Sequence, residues 1–214
     1  MRELAVIAII LSGISSEESC SADKAITNPL ADAERFVVPL GFPPGMPLLN
    51  VKFGKEGSRI VLNGSTWFDL PNEDVMEQPI VTWDTHGDDD KYTLVMVDPD
   101  APKPVEGGDG SAVGTSGPWL HWYVLNARAY PGSESAYKVA PYIGPGQVGQ
   151  TIRPVGTHRY IFMLFEQLRP GKLSASFVRR QWDLRGFLKE NLLDQNILRP
   201  VSMNMFYGTH HEDF

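Results

Sequence analysis

The chain has 214 residues, 42% of them apolar and 21% charged, which suffices for one globular domain with a substantial core. Its formal net charge is -7, with no long basic tract, which sets nucleic acid aside as a partner. The one cysteine, Cys20, cannot close an internal bridge, so packing rather than disulfides must hold the fold.

The chain begins with an apolar run, Leu4 to Ser15. It is too short to span a bilayer, which takes roughly 20 residues, and it has the length of a signal-peptide core. Cys20 and Ala22 are small residues placed for cleavage after Ala22. The expectation is a secreted protein without stable membrane insertion, with residues 1–22 as signal peptide and 23–214 as a single domain. Residues 23–50 are rich in proline and glycine and read as an extended arm with turns.

Short apolar runs follow between turn signals: Leu48–Phe53, Ile60–Leu62, Ile80–Trp83, Tyr92–Val97, His121–Leu125 and Tyr160–Phe165. β-branched and aromatic residues dominate them and helical periodicity is poor, so strands are predicted. Several are apolar at every position, as central strands of a sandwich are. The fold class is mostly β. Asn63-Gly64-Ser65 is a glycosylation sequon if the chain is exported. Asp88-Asp89-Asp90 reads as a solvated turn.

Two loops are long. Lys103–Pro118 is glycine-rich and polar, and Ile143–Gly156 carries four glycines. "GGDGSAVG" lacks the Gly-Lys-Ser/Thr ending of a phosphate-binding P-loop. Near the end, Leu184, Phe187, Leu188 and Leu192 share a helical face after Asp183, an N-cap residue, with Gly186 as a weak point. The tail holds a strand-like piece, "SMNMFYG", and then "HHED", read as solvated.

In a strand, alternate side chains share a face. Tyr92, Leu94, Met96 and Asp98 then point one way. His121, Tyr123 and Leu125 form a second set, and His158, Tyr160, Phe162 and Leu164 a third. Antiparallel pairing would bring Asp98, His121 and His158 to one sheet edge, with Tyr160 as a further donor. A carboxylate that accepts from one imidazole nitrogen fixes its tautomer and leaves the other nitrogen for a ligand. Imidazoles and a phenol suit phosphate or carboxylate oxygens. Asp98 alone would repel an anion, so an anion site requires it to be partnered. An Asp-His pair resembles a general base, but no G-x-S-x-G, H-E-x-x-H or cysteine nucleophile accompanies it. A non-enzymatic role is therefore expected, with no metal and no cofactor.

"YTLVMVDPDAP" followed by "PWLHWYVLNA", and then "GTHRYIFMLFEQ", resemble the two signatures of the phosphatidylethanolamine-binding protein family. That family includes the Raf kinase inhibitor proteins and the plant flowering regulators. "PIVTWD" before them and "FLKENLL" after them fit its layout, over roughly residues 30 to 208. The resemblance implies a β-sandwich with a large, mostly antiparallel sheet, a smaller sheet and a C-terminal helix. It also implies a small anion pocket for phosphate-type groups, including phospholipid headgroups. Asp98, Trp119, His121, His158 and Tyr160 match pocket positions, with Pro102 on the rim. Gly144 and Pro145 match the start of a loop that is longer here than the family's. Asp100 is expected to pair with Arg159 on the opposite face. The implied partner is a phosphate-containing small molecule or lipid headgroup. The alternative is a protease or kinase inhibited by surface contact.

Overall fold

The computed structural model describes residues 28–55, 60–107, 110–146, 154–169, 173 and 176–211. The expected signal peptide lies outside them. Helix α1 (Ala31–Val37) is followed by a short 3-10 turn. Then come β1 (Asn50–Phe53), β2 (Ile60–Val61), β3 (Thr66–Leu70), α2 (Glu73–Met76) and β4 (Ile80–Thr82). The centre of the chain forms β5 (Tyr92–Asp98), β6 (Trp119–Ala127), β7 (Tyr137–Ala140) and β8 (Gly156–Gln167). Helix α3 (Leu184–Leu188), extended by a wider turn, and β9 (Leu198–His210) complete it.

Among the described residues the large sheet runs β3-β9-β8-β5-β6-β7 and the small one β2-β1-β4. All pairs are antiparallel except β3 with β9. The large sheet is the middle layer. Leu94, Met96, Phe162, Leu164 and Phe206 pack against Val51, Phe53 and Val81 of the small sheet. Val95, Val97, Ile161, Met163 and Phe165 pack on the other side with Phe36, Leu184 and Leu188 of the helices. This two-sided covering explains why β5 is buried at every position and reads as an unbroken apolar run.

Residues 31–37 are helical, not an extended arm. Leu30, Ala33, Phe36 and Val37 are buried at helical spacings, and the Asn28 side chain accepts from the Leu30 N–H at 3.0 Å. Strands β3 and β7 escaped the sequence reading because each is short and half exposed. The tail forms the longest strand, paired along its length with β8.

Asp183 caps α3 by accepting from the Gly186 N–H at 2.9 Å. A Cβ on Gly186 would lie 2.2 Å from that carboxylate, so the glycine makes room for the cap. Asp183→Ala is expected to cost about 1 kcal/mol, measured by urea unfolding. An unchanged midpoint would remove the cap from the account.

Candidate functional site

The site sits at the edge where β5 ends and β6 and β8 begin. Asp98 lies opposite Trp119 on β6, and Val97 lies opposite Ile161 on β8. The antiparallel register therefore brings Asp98, His121, His158 and Tyr160 to one end of the sheet.

The local order at β6 is not plain alternation. Pairing passes from Met96 with Trp122 to Val97 with Leu120, which leaves His121 as the extra residue of a β-bulge. Tyr123 and Leu125 face the helices, so His121 does not share their face as simple alternation predicted. The bulge turns His121 to the side of Tyr160, with ring centres 5.2 Å apart. Its carbonyl accepts from the Ile143 N–H at 3.0 Å and from Arg179 at 3.1 Å. In return Nδ1 donates to the Ile143 carbonyl at 2.6 Å. Burial, against the pull of Asp98, holds the ring below the usual histidine range, so it is neutral with Nε2 unprotonated.

His158 is fully buried and has both ring nitrogens committed. Nδ1 donates to Asp98 Oδ2 at 2.8 Å and Nε2 to the Val155 carbonyl at 3.0 Å. Two acceptors require two protons, so the ring is an imidazolium. Burial opposes that charge, but Asp98 outweighs burial and raises the group above its usual value. No nitrogen of His158 is left for a ligand, which corrects the expectation that it would face one. Asp98 also accepts from the Asp100 N–H at 2.7 Å, so its charge is matched by His158 and a backbone dipole.

Tyr160 meets His210 Nε2 at 2.7 Å. Burial, then the charge of His158, pushes His210 down to about 4. A phenol facing an unprotonated imidazole donates to it, so Tyr160 offers no hydrogen to a ligand. His210 is buried and its ring lies 4.9 Å from that of His158, not solvated as the tail was read. Its one sequence signal was its place at the end of a run that continues the strand.

A cavity of about 20 Å³ is lined by Asp98, Pro102, Trp119, His121 and Tyr160, together with Ala101, Ser116, Gly146 and Pro154. It has room for about one water-sized group. Gly144 and Pro145 are not on its wall. Gly144 packs against Val75 and Met76 of α2, and Gly146 takes the lining position. Sequence reading also missed Ser116, hidden in a loop that looked merely polar. That loop folds back on the aspartate turn: Gly114 N–H donates to the Pro99 carbonyl and Ser116 N–H to that of Ala101, at 2.8 and 2.9 Å. A Cβ on Gly117 would come within 2.2 Å of the Pro99 oxygen, so only glycine permits this approach.

Behind the cavity, Asp100 receives Arg159 through Nε at 2.9 Å and Nη2 at 2.7 Å. It also accepts the Arg159 backbone N–H at 2.8 Å. Nη1 of Arg159 donates to the carbonyls of Asp32 and Gly110. The pair thus ties β8, the aspartate turn, α1 and the long loop together. Asn63 lies on the exposed turn between β2 and β3, its side-chain oxygen accepting from the Ser65 N–H at 3.1 Å.

The family model for phosphatidylethanolamine-binding protein matches residues 42–202. Protein TWIN SISTER of FT from Arabidopsis thaliana is 35% identical over 152 residues, which cover 70% of this chain and 74% of that protein. The phosphatidylethanolamine-binding protein from Plasmodium vivax shares the fold, with a TM-score of 0.53 at 19% identity over 85% of this chain and 97% of that one. Carboxypeptidase Y inhibitor, solved with its cognate proteinase, gives 0.56 at 19% identity over 86% and 98%.

Proposed function

The chain belongs to the phosphatidylethanolamine-binding protein family, and on that premise we propose that it is a binding protein whose cavity beside Asp98 and His121 holds a phosphate-type group such as a phospholipid headgroup. One observation carries the reading. Asp98, the group that would repel an anion, is neutralised by the His158 imidazolium and the Asp100 N–H. The cavity is small, so a tetrahedral anion seats a single oxygen corner and keeps the rest at the mouth. One partly solvated anchor corresponds to roughly micromolar to millimolar affinity.

The test is a phosphorus NMR titration with O-phosphoethanolamine. Binding should saturate in that range, and His121→Ala should weaken it about tenfold, or about 1.4 kcal/mol. Identical behaviour of variant and parent, or no shift in either, would remove the site. Inhibition of a protease is the second reading, prompted by the inhibitor that shares the fold. Inhibition that persists in His121→Ala while phosphate binding is lost would favour it.

A further inference from the structure

We propose that Ser116 is a further ligand-contacting residue of this site, its hydroxyl donating to an unesterified phosphoryl oxygen of the bound group. This rests on the anion-site reading and adds to it a contact from the long loop.

Ser116 is 1% exposed, and its Oγ has no hydrogen-bond partner among the described residues. Buried polar groups are almost always paired, and a buried hydroxyl without a partner carries an uncompensated desolvation cost. The loop does not need that hydroxyl to hold its shape. The Ser116 N–H donates to the Ala101 carbonyl at 2.9 Å, and the Ser116 carbonyl accepts from the Gln181 N–H at 3.0 Å. Beside it, the Thr115 carbonyl accepts from Gln181 Nε2 at 2.9 Å, and the Pro118 carbonyl from the Trp182 N–H at 2.9 Å. Gln181 makes these bonds at a φ of 52°, a conformation uncommon outside glycine. The loop is thus clamped between the aspartate turn and residues 181–182 by bonds that leave the Ser116 side chain out. Its hydroxyl is the polar group left over, and Ser116 lies on the wall of the cavity.

The rest of the wall fixes what the hydroxyl can meet. Trp119 Nε1 is a second buried donor on the same wall without a partner among the described residues, and an indole N–H only donates. Two unpaired donors beside a space for about one water-sized group call for a single atom that accepts more than one hydrogen bond. A charged phosphoryl oxygen does so, in bonds roughly twice as strong as those between neutral groups. Among the described residues no lysine or arginine lines the cavity, so hydrogen-bond donors of this kind must meet the charge there. Phosphomonoesters and phosphodiesters both carry unesterified oxygens, so the contact suits either, a phospholipid headgroup included.

The experiment is a phosphorus NMR titration of the parent, Ser116→Ala and His121→Ala proteins with glycerophosphoethanolamine, a soluble diester headgroup, and with inorganic phosphate. Tighter binding of the diester would assign the bound group to a lipid headgroup, and tighter binding of phosphate to the free ion. With either probe Ser116→Ala should weaken binding about tenfold, the loss of one charge-assisted hydrogen bond. Urea unfolding of the ligand-free proteins is the second measurement. Deleting an unpaired buried hydroxyl removes its desolvation cost, so the Ser116→Ala midpoint should equal or exceed the parent's. Weaker binding on an undiminished fold is a combination that a structural serine would not give. A Ser116→Ala variant that binds both probes like the parent would overturn the contact, and loss of binding in His121→Ala alone would leave the anion site standing. A lowered midpoint in ligand-free Ser116→Ala would also overturn the contact, by assigning the hydroxyl to the fold. Binding of neither probe by the parent would remove the anion site itself.

Discussion

Replacing Arg159 by methionine is expected to destabilise the protein by about 3–5 kcal/mol, because it strands the buried Asp100 carboxylate without its partner. Asp100 is 5% exposed and Arg159 8%, so water cannot take over the two side-chain bonds that Arg159 makes. The loss spreads further. The guanidinium also bonds the Asp32 and Gly110 carbonyls and lies 5.8 Å from the centre of the Phe36 ring. Removing it loosens the packing of α1 and the long loop on the sheet. Domains of this kind are stable by about 5–15 kcal/mol, so the variant should unfold at a much lower urea concentration with an unchanged slope. Asp100→Asn in the Arg159→Met background should recover part of the loss, since no charge is then stranded. A single variant within about 1 kcal/mol of the parent would show that the pair is not the tie between these elements.

The second large effect is loss of stability in acid. His210 is held near 4 in the folded protein against about 6.5 in an unfolded chain. Below about 6.5 the unfolded state takes up a proton that the folded state refuses, so stability falls as pH falls toward about 4. The shift corresponds to about 3 kcal/mol at full development. His121 is shifted the same way and adds to the acid limb. His158 acts in the opposite sense. Its raised value favours the folded state below the unfolded value, and that contribution is lost as pH rises through the folded one. His210→Gln keeps an acceptor for Tyr160 and removes the titration. Urea unfolding from about pH 7 to about pH 4 should show a limb shallower by about 3 kcal/mol in the variant. Parallel curves for the two proteins would rule His210 out as the source.

The acid limb and the proposed anion site depend on the same few residues, and they differ in how far they were legible. The strands at Tyr92–Asp98 and Gly156–Gln167 could be read because two-sided burial writes an unbroken apolar run. The faces of β5 and β8 followed from period-two alternation, which places Tyr160 with Phe162 and Leu164 against the small sheet. Helix α1 was obscured by the prolines and glycines that follow it. His210 was obscured because two adjacent histidines near a terminus carry no periodic signal.

The local pattern of side chains was sufficient to read mostly β structure and the faces of β5 and β8, while the sandwich and the gathering of an acid with histidines at one edge drew on the likeness of its two signatures to the family's. It could not determine which way His121 points, because a bulge inserts one residue and reverses the alternation beyond it. Nor could it show that His158 is closed off by the Val155 carbonyl, that His210 reaches Tyr160 from 50 residues away, or that Ser116 is delivered to the cavity by a loop folding over the aspartate turn. Each of these depends on contacts between segments far apart in the chain. Hydrogen-bond direction and burial are set by those contacts, and they decide which nitrogens carry protons and therefore what the cavity can hold.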